Sequence, residues 1–173
     1  LPIIWILFTS PEVSMRSGIL LSLLMVTVLT VHPFGIAQTK APDFSLKTAD
    51  NSTIVMKKLT GKVVVVNFWA TWCRPCVVEM PGFSEIYDKY HSRGLEIIGV
   101  SLDRGGWSKV RPFLARNKVS YPIVVGDEDL YLAYGGEAAI PTTVFVDKKG
   151  NIAERHIGAM TREQFESKIK KLL

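Results

Sequence analysis

Two cysteines, Cys73 and Cys76, are the only ones in the 173-residue chain, and they lie in the stretch FWATWCRPCVVEMP. A structural disulfide stabilises a protein mainly by closing a long loop of the unfolded chain, and this pair closes almost none. A C-x-x-C pair that follows a strand and opens a helix is instead typical of thiol-disulfide chemistry. The spacing therefore favours a disulfide that forms and breaks during a reaction.

The segments around the pair predict the environment that this chemistry needs. Lys62–Ala70 is a continuous apolar, β-branched run, typical of a strand buried on both faces, and helical spacing of apolar residues begins at Val77. Unpaired N–H groups and a partial positive charge at a helix N-terminus lower the pKa of a thiol. We therefore expect Cys73 to be the attacking thiolate and Cys76, one turn deeper, to resolve the mixed disulfide.

The two residues between the cysteines are expected to tune the pair. The fixed φ of Pro75 suits the first turn of a helix. The Arg74 guanidinium adds a cation beside Cys73, which favours the thiolate and makes the pair more oxidising. An exposed spacer without such a role is the alternative interpretation of Arg74.

Metal binding is a competing use of two close cysteines. One C-x-x-C supplies two ligands, whereas a structural zinc site needs four. No second C-x-x-C exists, and beyond residue 37 the only histidines are His91 and His156. We therefore expect no metal site, and no cofactor besides the disulfide itself.

Length and charge narrow the class of protein further. The chain is long enough for one domain with a substantial core. Its net charge is +5, but Lys and Arg are scattered among Asp and Glu, with no basic run interleaved with aromatic residues. This pattern argues against nucleic-acid binding. We expect a monomer with a solvated, mildly basic surface.

The N-terminal segment is typical of an export signal. Arg16 precedes the apolar run Ile19–Val31, which is followed by Pro33 and by small residues that end at Ala37. The run is shorter than the roughly 20 residues that a spanning helix needs. Cleavage after Ala37 is the prediction, and an uncleaved membrane anchor is the alternative.

The domain boundary follows from this signal. Residues 1–37 are predicted to be a signal peptide or leader, with Met15 as a possible true start, and residues 38–173 a redox domain. Export would place the cysteine pair in an oxidising compartment, where most cysteines stay oxidised.

Beyond the leader, strands and helices are predicted to alternate without an internal repeat. The order is β-α-β-α-β-α-β-β-α, preceded by two strand-like segments, Ala41–Leu46 and Thr53–Leu59. This order predicts an α/β fold with a mixed central sheet, helices on both faces and an antiparallel final hairpin. Thr161 with Gln164 three residues later predicts a capped start of the last helix.

The cysteine stretch resembles the active-site segment of the thioredoxin superfamily. More narrowly, the chain is similar to the exported thiol-disulfide oxidoreductases of the TlpA, ResA and DsbE type over roughly residues 41–173. The similar segments are APDFSL, LTGKVVVVNFWATWCRPC and YGGEAAIPTTVFVDKKGNI. The resemblance implies a thioredoxin-like fold with an N-terminal β extension and a central insertion.

The resemblance also implies roles for residues near the pair. Cys73 and Cys76 match the nucleophilic and resolving cysteines, and Trp72 matches a tryptophan that borders the substrate groove. Pro141 matches a cis-proline that faces the disulfide and leaves the backbone of Ile140 to pair with an extended substrate segment. From the residues alone, Pro141 could be an ordinary proline at the start of a strand.

Two further positions separate this chain from cytoplasmic thioredoxins. Asn67 stands where thioredoxins usually have a buried Asp. Glu79 matches a glutamate of the TlpA and ResA branch, and a partly buried carboxyl there would have a raised pKa and handle protons during exchange. A solvated helix residue is the alternative for Glu79.

The activity that the resemblance implies is reduction of protein disulfides in the bacterial cell envelope, in the periplasm or at the outer face of the cytoplasmic membrane. The substrates would include apocytochrome c before haem attachment, and a membrane thiol carrier would supply electrons. Nothing in the residues fixes the direction of electron flow.

Two other functions on the same fold remain open from the sequence. A thiol peroxidase shares the APDF opening, but Val66 and Ala70 stand where its proline and threonine would be. A copper-delivery protein usually spaces its cysteines by three residues and adds a histidine, whereas the spacing here is two.

Overall fold

The computed structural model describes residues 39–137 and 139–173. The predicted leader, residues 1–37, and the boundary after it lie outside the described residues. Within the described ranges, no helix combines the length and the apolar character needed to cross a membrane.

Seven strands and four helices alternate along the described chain. In chain order they are β1 (Ser45–Lys47), β2 (Thr53–Val55), β3 (Val63–Trp69), α1 (Arg74–Tyr90), β4 (Leu95–Ser101), α2 (Trp107–Leu114), β5 (Ile123–Val125), α3 (Glu128–Ala133), β6 (Thr142–Val146), β7 (Ile152–Ile157) and α4 (Arg162–Leu172). This is the predicted order.

A five-stranded mixed sheet, ordered β5-β4-β3-β6-β7, forms the centre of the domain. β3 pairs in parallel with β4, and β4 in parallel with β5. β6 runs antiparallel to β3, and β7 antiparallel to β6. The mixed sheet and its antiparallel hairpin confirm the fold class predicted from the sequence.

The central strand β3 is buried along its whole length. Alternate residues point to opposite faces of a strand, so Val63, Val65 and Trp69 belong to one core. Val64, Val66 and Phe68 belong to the other. A continuous apolar run is needed here because both faces of β3 are covered.

The two faces of the sheet are covered differently. On one face, α1 and α4 pack together, with Phe83 stacked on Phe165 at 3.8 Å between ring centroids, and Val110 of α2 joins the same core. On the other face, Tyr131 and Tyr134 at α3 pack with the N-terminal extension. Helices therefore lie on both faces, as expected.

The N-terminal extension is shorter than predicted. β1 and β2 form a two-stranded antiparallel sheet, and the second strand ends at Val55 rather than Leu59. Met56–Leu59 form a 3₁₀ helix instead, and the Asp43 carboxylate accepts the backbone N–H of Lys57 within it at 2.9 Å.

The segment predicted as an insertion, 103–136, contributes α2, β5 and α3. β5 is an edge strand of the main sheet, and α3 forms part of a wall beside the cysteine pair. The insertion is therefore integrated into the domain and shapes its functional surface.

Candidate active site

The cysteine pair forms a disulfide at the N-terminus of α1, four residues after β3 ends. Cys73 is the N-cap residue, and its Sγ accepts the backbone N–H of Cys76 at 3.3 Å. Arg74 and Pro75 are the first two residues of the helix, and Arg74 is exposed. The start of the helix thus aims an N–H group at Cys73, an arrangement that stabilises negative charge on that sulfur after reduction.

The cysteine side chains are both buried in the oxidised protein, Cys73 at 5% exposure and Cys76 at 1%. Their surroundings differ, because the neighbour of Cys73 on the N-terminal side, Trp72, is 72% exposed. Both cysteines belong to the core packed between α1 and the sheet. Cys73 therefore lies next to an exposed residue, whereas Cys76 is one turn into the helix and almost fully buried.

The proline loop lies directly beside the disulfide. The Ile140–Pro141 peptide bond is cis, and the Ile140 carbonyl oxygen lies 3.7 Å from Cys73 Sγ. β6 begins at Thr142, which pairs with Phe68 near the end of β3. This pairing brings together the loop and the cysteines, although 67 residues separate Cys73 from Ile140.

Glu79 is buried on the face of α1 that carries Cys76, three residues earlier. Its side chain accepts two hydrogen bonds, from Asn67 Nδ2 to Oε1 at 3.1 Å and from the Met160 backbone N–H to Oε2 at 3.1 Å. Burial raises the pKa of Glu79 to about 7, although both hydrogen bonds act in the opposite direction. The alternative of a solvated helix residue is therefore wrong.

Asn67 connects Glu79 to the sheet. Its Nδ2 also donates to Thr143 Oγ1 at 3.0 Å, so one amide group bridges α1 and β6. A buried polar side chain in a continuous apolar strand must find partners, and this requirement marks Asn67 in the sequence. Thr143 and Met160 were missed, because a threonine in a strand and a backbone N–H carry no distinctive signal.

Asp103 was also missed by the sequence analysis. It follows β4, is buried, and accepts the Thr71 N–H at 2.9 Å and the Thr71 hydroxyl at 2.6 Å. Ser101 Oγ donates to the same carboxylate at 2.8 Å. Asp103 therefore fixes the loop that leads from β3 to Cys73. Parallel neighbouring strands end at the same edge of a sheet, and this was the available signal.

Two grooves flank the disulfide and share no lining residue. The first, which we name the Trp72 groove, has a volume of about 630 Å³ and is lined by Trp72, Leu102–Arg104, Gly106, Val125–Glu128, Tyr131, Glu137, Ala139 and Ile140. The second, the Glu79 groove, has a volume of about 650 Å³ and is lined by Arg74, Pro75, Val78, Glu79, Gly82 and Ala159–Arg162. Trp72 and Arg74, the neighbours of Cys73, lie in different grooves.

Comparison with known proteins places this site in a family. Residues 36–173 match the family described as Redoxin. The thiol-disulfide oxidoreductase ResA of Bacillus anthracis is 35% identical over 133 residues, which cover 77% of this chain and 76% of that protein. ResA of Geobacillus kaustophilus is 33% identical over 165 residues, covering 91% of this chain and 94% of that protein.

Solved structures agree with these relatives. A putative thiol:disulfide interchange protein DsbE from Chlorobium tepidum superimposes with a TM-score of 0.72 at 28% identity, covering 78% of this chain and 96% of that one. StoA from Bacillus subtilis gives a TM-score of 0.64 at 31% identity, covering 73% and 96%. The chain thus belongs to the Redoxin family, and it is a thiol-disulfide oxidoreductase of the ResA and DsbE type that carries a C-x-x-C pair.

Proposed function

We propose that the protein reduces disulfides of other proteins in the cell envelope, with Cys73 as the nucleophile and Cys76 as the resolving cysteine. One observation carries the assignment of roles. Cys73 Sγ caps α1 and accepts the Cys76 N–H at 3.3 Å, whereas Cys76 lies inside the helix and is only 1% exposed. The helix start therefore favours the thiolate at Cys73 over Cys76.

The reaction begins from the reduced pair. The Cys73 thiolate attacks one sulfur of the substrate disulfide, forms a mixed disulfide and releases the other substrate sulfur as a thiolate. The Cys76 thiolate then attacks Cys73 Sγ, which releases the second substrate thiolate and forms the Cys73–Cys76 disulfide. Two electrons pass to the substrate, and a dithiol donor must then reduce the pair.

The proline loop and Trp72 are proposed to position the substrate. The Ile140 backbone, beside Cys73 Sγ, can pair with an extended substrate segment that adds to the loop as a strand would. Trp72 offers an exposed aromatic surface next to Cys73, the sulfur that attacks the substrate. Both contacts would hold a substrate disulfide next to Cys73.

Glu79 is proposed to handle the protons of the exchange. Its pKa of about 7 lets it gain or lose a proton near neutral pH. It follows Cys76 by one helical turn, so it can accept the proton that Cys76 loses before attack. Arg74 and Pro75, at the first two helical positions, are proposed to favour the thiolate of Cys73.

The location and the partners are proposals that rest on the resemblance and the predicted leader. A signal peptide or anchor at residues 1–37 would deliver the domain to the periplasm or to the outer face of the cytoplasmic membrane. The substrate class is a protein disulfide, apocytochrome c being one candidate, and the donor is a membrane thiol carrier. The protein is proposed to act as a monomer without a metal or another cofactor.

Two measurements test the proposed function: the reduction potential of the Cys73–Cys76 pair and the rate at which the reduced protein reduces a protein disulfide. The reduction potential of the pair, measured against dithiothreitol or glutathione, is expected near about −250 mV or below, which suits a reductant. The reduced protein should reduce a protein disulfide, and Cys73→Ser should abolish this turnover. A potential near about −120 mV would overturn the proposed direction, and hydroperoxide turnover would favour a thiol peroxidase instead.

A further inference from the structure

The Trp72 groove carries a charge opposite to that of the whole chain. The chain has a net charge of +5, yet three exposed carboxylates line the groove. They belong to Asp127, Glu128 and Glu137, and the one guanidinium among the lining residues is that of Arg104. A local excess of negative charge on a basic protein indicates a surface that attracts cations.

These exposed carboxylates are not engaged in internal ion pairs. Within residues 39–137 and 139–173, no salt bridge involves Glu128 or Glu137. Asp127 caps α3, since its Oδ1 accepts the Leu130 N–H at 2.8 Å. The buried carboxylate of Asp103, by contrast, is fully used by donors of the protein. The groove therefore presents negative charge to a ligand.

The groove lies beside the reactive sulfur, because two of its lining residues are neighbours of Cys73. Trp72 and Ile140 line it, and the Ile140 carbonyl oxygen lies 3.7 Å from Cys73 Sγ. Its walls also include apolar surface from Val125 and Tyr131. A substrate joined to Cys73 through a mixed disulfide would bring residues close to its reactive cysteine within reach of these walls.

The chemistry of the groove suits a lysine or arginine side chain. The exposed Trp72 ring can bind a cation on its face, and the apolar walls can cover the aliphatic stem. Glu128 and Glu137 can then hold the charged end. The Glu79 groove does not offer this environment, because Arg74 and Arg162 line it.

We propose that the Trp72 groove selects substrate polypeptides that carry a lysine or arginine within a few residues of the reactive cysteine. This proposal rests on the proposed reduction of protein disulfides and names the substrate property that the groove recognises. Since its carboxylates are exposed, each contributes modestly, and the two glutamates together should change selectivity about three- to tenfold.

The experiment uses three peptides of one sequence, each with a single internal disulfide and two variable positions beside one cysteine. These positions are Lys in the first peptide, Gln in the second and Glu in the third. The value of kcat/KM for reduction by the full chain should fall in the order Lys, Gln, Glu, and the differences should shrink in high salt.

Variants assign the preference to the groove. The double variant Glu128→Gln/Glu137→Gln should lower the ratio of kcat/KM for the Lys peptide over the Glu peptide by about three- to tenfold. Asp129→Asn is the matched control, since Asp129 belongs to the same first turn of α3 but does not line the groove. This control should retain the ratio of the unmodified protein.

The possible results distinguish failure of the groove's substrate preference from failure of the proposed disulfide reduction. Reduction of all three peptides at equal rates, or an equal loss of preference in Asp129→Asn, would overturn the groove assignment and leave the reductase function intact. Preference for the Glu peptide would also overturn the groove assignment, because it would show that Arg104 outweighs the carboxylates in substrate binding. Failure to reduce any of the peptides, together with failure on a protein disulfide, would overturn the proposed function itself.

Discussion

The two grooves beside the disulfide contain the same kind of side chain in opposite environments. In the Glu79 groove, the Glu79 carboxyl is buried, accepts two hydrogen bonds and has a pKa raised to about 7. In the Trp72 groove, Glu128 and Glu137 are exposed to water. The first environment suits proton transfer and the second suits binding of cations, so burial decides what a carboxyl group does here.

The difference follows from the elements that build each groove. Glu79 lies on α1 and meets the loop before α4, where the Met160 N–H holds it in place. Thr161 and Gln164 form a capping box directly after Met160, which fixes that loop. The Trp72 groove is built from loops that follow β3, β4 and β5, together with α3. Loops on a rigid sheet are the usual place for binding residues.

The largest effect that would test this comparison concerns Glu79. Glu79→Gln keeps the size of the side chain but removes the acid, so we expect the rate of the resolving step to fall by about 100-fold. The dependence of the rate on pH near 7 should disappear with it. Stopped-flow measurement of mixed-disulfide decay from pH 5 to 9 tests this, with Glu128→Gln as the variant from the other groove. Unchanged rates in Glu79→Gln would remove the proton-handling role.

Burial of the Glu79 carboxyl should also make the stability of the oxidised protein depend on pH. Because the pKa of Glu79 is about 7 in the folded protein and about 4.5 for an ordinary glutamate, the unfolded chain loses its proton first as pH rises. Stability is therefore lost between about pH 4.5 and 7 and then stays constant.

The size of this loss can be measured against Glu79→Gln. The free energy of unfolding of the unmodified protein, relative to the variant, should fall by about 3 kcal/mol from pH 4 to pH 8. Urea unfolding at both values measures the difference. The same difference at both pH values would show that Glu79 titrates like an exposed carboxyl.

Asn67 should set the position and the pKa of Glu79. Asn67→Ala removes a hydrogen bond that lowers this pKa, so the pH profile of the resolving step should move to higher pH. Stability should fall by about 1–3 kcal/mol, because buried groups lose a partner. Thr143→Val is the control, since it removes the other acceptor of Asn67 and leaves the Asn67–Glu79 bond. If Asn67 has only a structural role, Asn67→Ala should lower stability without moving the pH profile of the resolving step.

The smallest effect compares one exposed apolar residue from each groove. Trp72 and Val78 are 72% and 71% exposed, so replacing either by Ala should change stability by less than about 0.5 kcal/mol. Trp72→Ala should raise KM for a Lys-flanked peptide about two- to fivefold, because a cation loses its aromatic partner. Val78→Ala should not. Equal changes in the two variants would show that the grooves do not differ in substrate binding.

The fold and the reactive pair could be predicted because both depend on local sequence. The run Val63–Trp69 requires burial on two faces, and Cys73 at a helix start has a clear chemical meaning. Glu79, three residues after Cys76, was singled out through its match to a glutamate of the TlpA and ResA branch. Its buried state could not be derived, since that depends on Met160, 81 residues further along the chain.

The resemblance pointed to a groove beside Trp72, but the carboxylates of this groove could not be predicted, for the same reason. Its carboxylates follow β5 or precede the proline loop, and nothing local distinguishes Glu128 from its neighbour Asp129, which does not line the groove. The predicted end of the second strand of the N-terminal extension was wrong for a different reason. The residue pattern alone would continue the strand to Leu59, but Met56–Leu59 form a 3₁₀ helix in which Lys57 N–H is bonded to Asp43, a contact that the local pattern does not indicate.

The central claim is that Cys73 attacks and Cys76 resolves, and trapping of the mixed disulfide tests it most directly. Reduced Cys76→Ser and reduced Cys73→Ser are each mixed with a protein that contains one disulfide, and the covalent complexes are quantified by mass over time. Cys76→Ser should accumulate a complex linked through Cys73, and Cys73→Ser should form its complex at least about 100-fold more slowly. Equal rates in the two variants, or faster trapping through Cys76, would contradict the account.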